Sequence, residues 1–161
     1  VDGTRIRPLP ALGAAILALT LLSGCNALEG FLAPAAVTDH DVFTISVGDC
    51  LDDADVGAEV VTVPIVDCSE PHDSEVFART EVAGDTFPGA DELEARLTEF
   101  CQGEAFTDFL GVPYVESEYY TGGYYPTASS WASGDRELLC TVRDEGARTT
   151  GSLEGAEAAE D

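Results

Sequence analysis

The stretch Val66-Asp67-Cys68-Ser69-Glu70-Pro71-His72-Asp73-Ser74-Glu75-Val76-Phe77 sets one cysteine, one histidine and four carboxylates within a dozen residues. Either it is a reactive or metal-binding cluster, or it is a turn between two strands held by a disulfide. Pro71 fixes its own φ and drives Glu70 toward extended geometry. Ser69 and Asp73 are turn-forming residues. Residues 69–73 are therefore expected to connect two adjacent strands, with His72 satisfied by a backbone carbonyl, by Asp73 or by an aromatic ring. An imidazole among carboxylates is also a candidate acid sensor.

On either side of the turn the sequence reads as sheet. Residues 60–66, VVTVPIV, are dense in β-branched side chains, and Pro64 places that strand at an edge or a bulge. Residues 74–82 alternate, with Val76, Ala78 and Thr80 on one face and Phe77, Arg79 and Glu81 on the other. Upstream, residues 42–47 alternate apolar and polar before a Gly-Asp turn and predict a strand. The acidic run 51–59 is a loop. It resembles a calcium-binding loop in charge only, since Gly57 stands where an oxygen ligand is needed and the distal glutamate is missing.

Beyond Phe87-Pro88-Gly89, residues 91–110 carry Leu93, Leu97, Phe100, Cys101 and Phe106 near helical spacing. They predict one amphipathic helix, opened by an Asp91/Glu94 capping box, weakened at Gly103, and ended by Gly111 and Pro113. Residues 114–125 are rich in tyrosine and predict strand character with a tight turn or bulge at Gly122-Gly123. Residues 137–143 predict a closing strand. The order β-β-β-α-β-β defines an α+β domain, a small antiparallel sheet with one main amphipathic helix packed on it.

The ends of the chain read differently. Arg5 and Arg7 precede an apolar run, residues 9–22, that is short of the roughly 20 residues a spanning helix needs. Leu22-Ser23-Gly24-Cys25 follows directly and resembles the bacterial lipobox, which implies cleavage before Cys25 and lipid attachment to its thiol. Each buried lipid methylene contributes about 0.8 kcal/mol, and two or more chains give stable anchoring. The expected organisation is a lipoprotein signal peptide at 1–24, a lipid-anchored flexible linker at 25–41, the domain at 42–143, and an acidic disordered tail at 144–161. His40 falls in the linker and is expected to be solvated. The expected location is the extracytoplasmic face of a bacterial cell membrane.

Once Cys25 is lipidated, Cys50, Cys68, Cys101 and Cys140 remain, an even number that reads as two disulfides with three possible pairings. The sequence-local pairing, Cys50–Cys68 and Cys101–Cys140, is expected because each bridge then staples one half of the domain. Net charge is −24, and all seven cations are arginines. Such a surface repels phosphate backbones, so nucleic acid is excluded as a partner. The absence of methionine, with Val1 first, fits a GTG start in a GC-rich genome.

Several pieces together are similar to the septum-formation family of actinobacterial envelope proteins. They are Val47-Gly48-Asp49-Cys50, residues 63–77, Phe87-Pro88-Gly89, Cys101, Pro126, residues 131–136 and Cys140, with Thr150-Gly151-Ser152-Leu153 as an extension. The resemblance implies a place near the division septum and supplies no reaction. Many members carry a membrane-spanning helix ahead of the domain, where this chain reads as carrying a lipid.

A Cys-His nucleophile needs a free thiolate, and Cys68 is assigned to a disulfide. With the cysteines paired, Asp67, Glu70, His72, Asp73 and Glu75 are left as weak metal ligands, so neither metal nor cofactor is expected. The expected function is a non-catalytic module binding a protein or cell-wall component such as peptidoglycan. The alternative is a small metal-dependent or carbohydrate-acting envelope enzyme. The candidate binding surface is His72, Tyr119, Tyr120, Tyr124, Tyr125 and Trp131, since amphipathic aromatics are enriched at interfaces. Arg136 is expected to pair with a nearby acid.

Overall fold

A computed structural model describes residues 38–41, 44–54 and 62–158, with backbone alone for 38–41. All of them lie in one compact unit, Ala35–Asp161. The signal peptide, Cys25, most of the linker, residues 42–43 and the rest of the acidic loop lie outside the described residues.

Among the described residues, six strands form one antiparallel sheet in the order β1-β3-β2-β4-β6-β5. These are β1 (Thr38–Asp41), β2 (Cys50–Leu51), β3 (Thr62–Val66), β4 (Ser74–Glu81), β5 (Tyr120–Tyr124) and β6 (Glu137–Arg143). The helices are α1 (Ala90–Cys101), α2 (Glu104–Leu110) and α3 (Ala128–Ala132). This is the α+β architecture expected from the sequence, with several local departures.

β1 lies within the stretch expected to be a flexible linker, and its backbone pairs with β3 from Thr38↔Ile65 to Asp41↔Thr62. The strand expected over 42–47 is not formed in its described part. Instead Ile45 is buried, Ser46 N–H donates to Asp49 Oδ2 at 2.8 Å, and a turn at Val47-Gly48 leads into β2. Gly48 and Asp49 then exchange backbone hydrogen bonds with Val76 at 2.7 and 2.9 Å, so this segment already edges β4.

Pro64 is interior to the sheet, opposite Asp39, and not at an edge. Its effect falls on β2. Asp52 N–H donates to the Pro64 carbonyl at 3.0 Å, but Pro64 has no N–H to return. The β2–β3 ladder therefore stops after Cys50↔Val66 and Leu51↔Ile65.

β4 carries a bulge. Val76 faces Thr141 and Ala78 faces Cys140, leaving Phe77 as the extra residue. The simple alternation expected along this strand breaks there, and Phe77 and Ala78 both pack on the helical side. That side holds the main core, which includes Phe77, Leu93, Leu97, Phe106, Leu110, Trp131, Leu138 and Val142. Phe77 and Phe106 meet edge to face at 6.0 Å between centroids. A smaller core of Ile45, Leu51, Val63, Val76 and Leu139 occupies the other face.

The single helix expected over 91–110 is two. α1 buries Leu93, Leu97 and Cys101 at four-residue spacing, then ends at Gln102. Gly103 precedes α2, which buries Phe106 and Leu110. The Asp91 capping box is absent: Gly89 is the N-cap with no side-chain hydrogen bond, and Asp91 sits inside the first turn, where its charge favours the helix dipole. The capping box occurs instead at α3, between Thr127 and Ser130.

Gly122 and Gly123 make no turn. Both lie within β5, opposite Thr141 and Cys140. Gly123 has φ 152°, and a Cβ there would stand 2.0 Å from the Leu139 carbonyl oxygen, so glycine lets β5 approach β6. Both expected disulfides are present. Cys50–Cys68 ties β2 to the end of β3, and Cys101–Cys140 ties the end of α1 to the middle of β6.

Candidate functional site

The turn after β3 is built by its own side chains. Asp67 Oδ1 accepts from Ser69 N–H at 2.9 Å and from Ser69 Oγ at 2.7 Å. These two bonds hold the Asp67 carboxyl below its ordinary range. Glu70 N–H closes the turn onto the Asp67 carbonyl at 2.8 Å. Pro71 then directs His72 inward.

His72 is fully buried, which removes it from the expected binding surface. Its backbone exchanges two hydrogen bonds of 2.9 Å with Thr149, an isolated antiparallel bridge. Its Nδ1 lies 2.9 Å from the Glu70 carbonyl. A carbonyl can only accept, so the ring proton sits on Nδ1. Nε2 is buried and without a hydrogen-bond partner.

Glu75 is the second buried titratable group, 2% exposed. Its Oε1 accepts from Ser152 Oγ and its Oε2 from the Leu153 N–H, both at 2.7 Å. Leu153 enters the main core. The tail expected to be disordered is thus an ordered strap through residue 158. Gly151 N–H donates to the Cys68 carbonyl at 2.6 Å, Gly155 N–H to Phe109 O at 2.7 Å, and Glu157 N–H to Leu110 O at 3.0 Å. Leu153 is the only large apolar side chain in 144–161, and that is the signal the sequence offered.

Arg148 opens the strap by reaching two acids, Asp52 at 2.9 Å and Asp73 at 3.2 Å. Its side-chain hydrogen bond with Asp73 and then burial hold the Asp52 carboxyl above its ordinary value. Burial pushes Asp73 upward as well, but its bonds with Asp52 and the Ala54 N–H, with the charge of Arg148, outweigh that and hold it low. Asp53 accepts from Ser74 Oγ at 2.9 Å and from the Tyr124 hydroxyl at 2.8 Å. Burial first, then the Asp53 charge, raise that phenol well above its usual range.

The structure does not gather the expected aromatic platform. Tyr119 and Tyr125 pack against the main core and Tyr124 against the smaller one. Trp131 is buried, donates from Nε1 to Asp85 O at 3.2 Å, and meets Phe87 edge-on. Among the described residues Arg136 pairs with no acid. Its guanidinium lies 3.8 Å from the Trp131 ring centroid and donates to the carbonyls of Gly84, Trp131 and Asp135. Of the expected surface only Tyr120 is exposed, with Val115 exposed nearby in sequence on the 3-10 turn Tyr114–Glu116.

Among the described residues, no helix is long and apolar enough to cross a membrane. The fold and its closed turn define a small disulfide-stapled α+β domain strapped by its own C-terminal segment. A family model described as septum formation matches residues 47–160, and the chain belongs to that family. No curated protein and no solved structure matches it. The matched range takes in the strap through Leu153, along with both disulfides and His72.

Proposed function

We propose that this chain is a non-catalytic, lipid-anchored extracytoplasmic module that binds a protein or cell-wall component in septum formation or envelope maintenance. The observation that carries the reading is membership of the septum-formation family over residues 47–160. The geometry supports the non-catalytic part. The residues of greatest chemical interest, Cys68 and His72, are engaged in a disulfide and in a buried turn. Binding falls to the edge strand β5, where Tyr120 is exposed and, among the described residues, strand pairing is open on one side.

Pull-down from envelope extracts and sedimentation with peptidoglycan, using wild type and a Tyr120→Ala/Val115→Ser variant, test the reading. A partner or glycan retained by wild type and lost by the folded variant is expected. Equal retention by both, or no septal enrichment of the anchored chain in dividing cells, would count against it. Metabolic labelling with a palmitate analogue, lost in Cys25→Ser, tests the anchor.

A further inference from the structure

The ring of His72 has one lone pair with no partner. With the Nδ1 proton committed to the Glu70 carbonyl, Nε2 can only accept, and nothing donates to it among the described residues. A Glu75 carboxylate oxygen, a His72 ring nitrogen and Cys50 Sγ lie within 4.8 Å of one another, and all three side chains are buried. An imidazole whose other nitrogen donates to a backbone carbonyl is oriented as metal-ligating histidines are. Glu75 has its own supporting contacts from Ser152 and Leu153. The obstacle is that Cys50 Sγ is bonded to Cys68, and a disulfide sulfur lacks the charge that makes a thiolate a ligand.

We propose that the Cys50–Cys68 disulfide gates a buried metal site. When it is reduced, the two thiolates, His72 Nε2 and the Glu75 carboxylate take up one zinc-class divalent ion. A small-molecule or protein disulfide that takes up the two electrons by thiol–disulfide exchange re-forms the bridge, is itself released as a dithiol, and expels the ion. Cys50 is fully buried and Cys68 is partly exposed, so an incoming thiolate meets Cys68 first. A dithiol reductant attacks Cys68 Sγ, and Cys50 leaves as a thiolate inside the fold. The reductant's second thiol then resolves the mixed disulfide. The reductant departs as a disulfide, two electrons poorer, and the protein holds two thiols whose protons go to solvent when the metal binds.

The freed Cys50 thiolate emerges beside the Glu75 carboxylate. Two anions this close in a buried site are stable only when a proton or a cation is held between them, and a divalent cation offsets both charges. Sulfur, nitrogen and oxygen in a four-ligand set suit zinc, whereas calcium needs six or more oxygens. Tetrahedral zinc holds sulfur at about 2.3 Å and nitrogen or oxygen at about 2.0–2.2 Å, so the three mapped atoms close in by about an ångström at most.

Cobalt(II) absorption is the test, on the full chain with Cys25→Ser throughout so that the fifth thiol adds no signal. The oxidised chain is expected to show no thiolate-to-cobalt charge-transfer band. The chain reduced with a phosphine under argon should gain that band at one equivalent, together with tetrahedral d–d bands that zinc abolishes. Cys50→Ser/Cys68→Ser should remove the band while the other pair is still reduced, and His72→Gln should weaken binding by about tenfold or more. Circular dichroism reports the fold of each sample. A folded, reduced chain without the band overturns the proposal. So does a band that survives Cys50→Ser/Cys68→Ser, or unchanged affinity in both His72→Gln and Glu75→Gln. A reduced chain that unfolds and stays unfolded with cobalt overturns it too, because the site exists only in the fold.

Discussion

The backbone N–H of Leu153 donates at 2.7 Å to the buried carboxylate of Glu75, 78 residues earlier in the chain. A buried charge without such partners is costly, so the strap completes β4 as much as it covers it. Leu153→Ala should cost about 2–4 kcal/mol, from lost burial and the cavity left behind. A chain ending at residue 147 should lose more, because Glu75 then loses both of its donors. Urea midpoints at neutral pH check both, and an unchanged midpoint for the shortened chain would refute the structural role of the strap.

Gly122 and Gly123 separate two kinds of constraint. Gly123→Ala drives a Cβ into the Leu139 carbonyl oxygen of the paired strand, whereas Gly122→Ala meets only the Thr141 hydroxyl at 3.2 Å. The first should cost about 2 kcal/mol or more through strain and a loosened β5–β6 ladder, the second under about 1 kcal/mol. Thermal melts of the two variants compare them directly.

The two disulfides close loops of different length, with sequence separations of 18 and 39. On loop entropy alone, replacing Cys50 and Cys68 by alanine should cost about 3 kcal/mol, and replacing Cys101 and Cys140 about 4 kcal/mol. The Cys101–Cys140 bridge also lies in the main core, which adds to its loss. Equilibrium unfolding of each double variant should preserve that order.

Asp67 gives the turn a pH signature. Its folded-state pKa lies below the unfolded value of about 3.8, owing to the Ser69 backbone and hydroxyl bonds. The contribution is therefore fully present above the unfolded pKa and is lost as pH falls through the folded one. Asp67→Ala should melt below wild type at pH 7, and the gap should close as pH drops through the carboxylate range to about 2. A gap that stays constant with pH would assign the loss to the side chain's bulk and not to its charge.

What could be read in the sequence was what its local pattern encodes. Residues 137–143 set a short, mostly apolar run between Glu137 and Arg143, and β6 occupies them. Four cysteines after Cys25 point to two bridges, and the local pairing follows. The pattern failed where a distant backbone decided the outcome. Residues 42–47 alternate like a strand, but Gly48 and Asp49 are claimed by Val76, and the described part runs as a loop. Ala-Phe-Thr-Asp-Phe-Leu continues a helical period past Gly103, yet the axis breaks there. One leucine among small and acidic residues makes no period, so Leu153 alone marks the strap, and its partner Glu75 lies 78 residues away. The aromatic surface failed for a related reason. Tyrosine and tryptophan serve a core as readily as an interface, and only burial tells them apart.

The strap also orders events in time. Its residues leave the ribosome after all six strands, and until they arrive Glu75 lacks its donors from Ser152 and Leu153 while His72 lacks the bridge to Thr149. A chain cut short before residue 153 cannot close the sheet over that acid. The fold thereby depends on translation through Leu153, and a copy terminated before that residue is left open to any protease it meets.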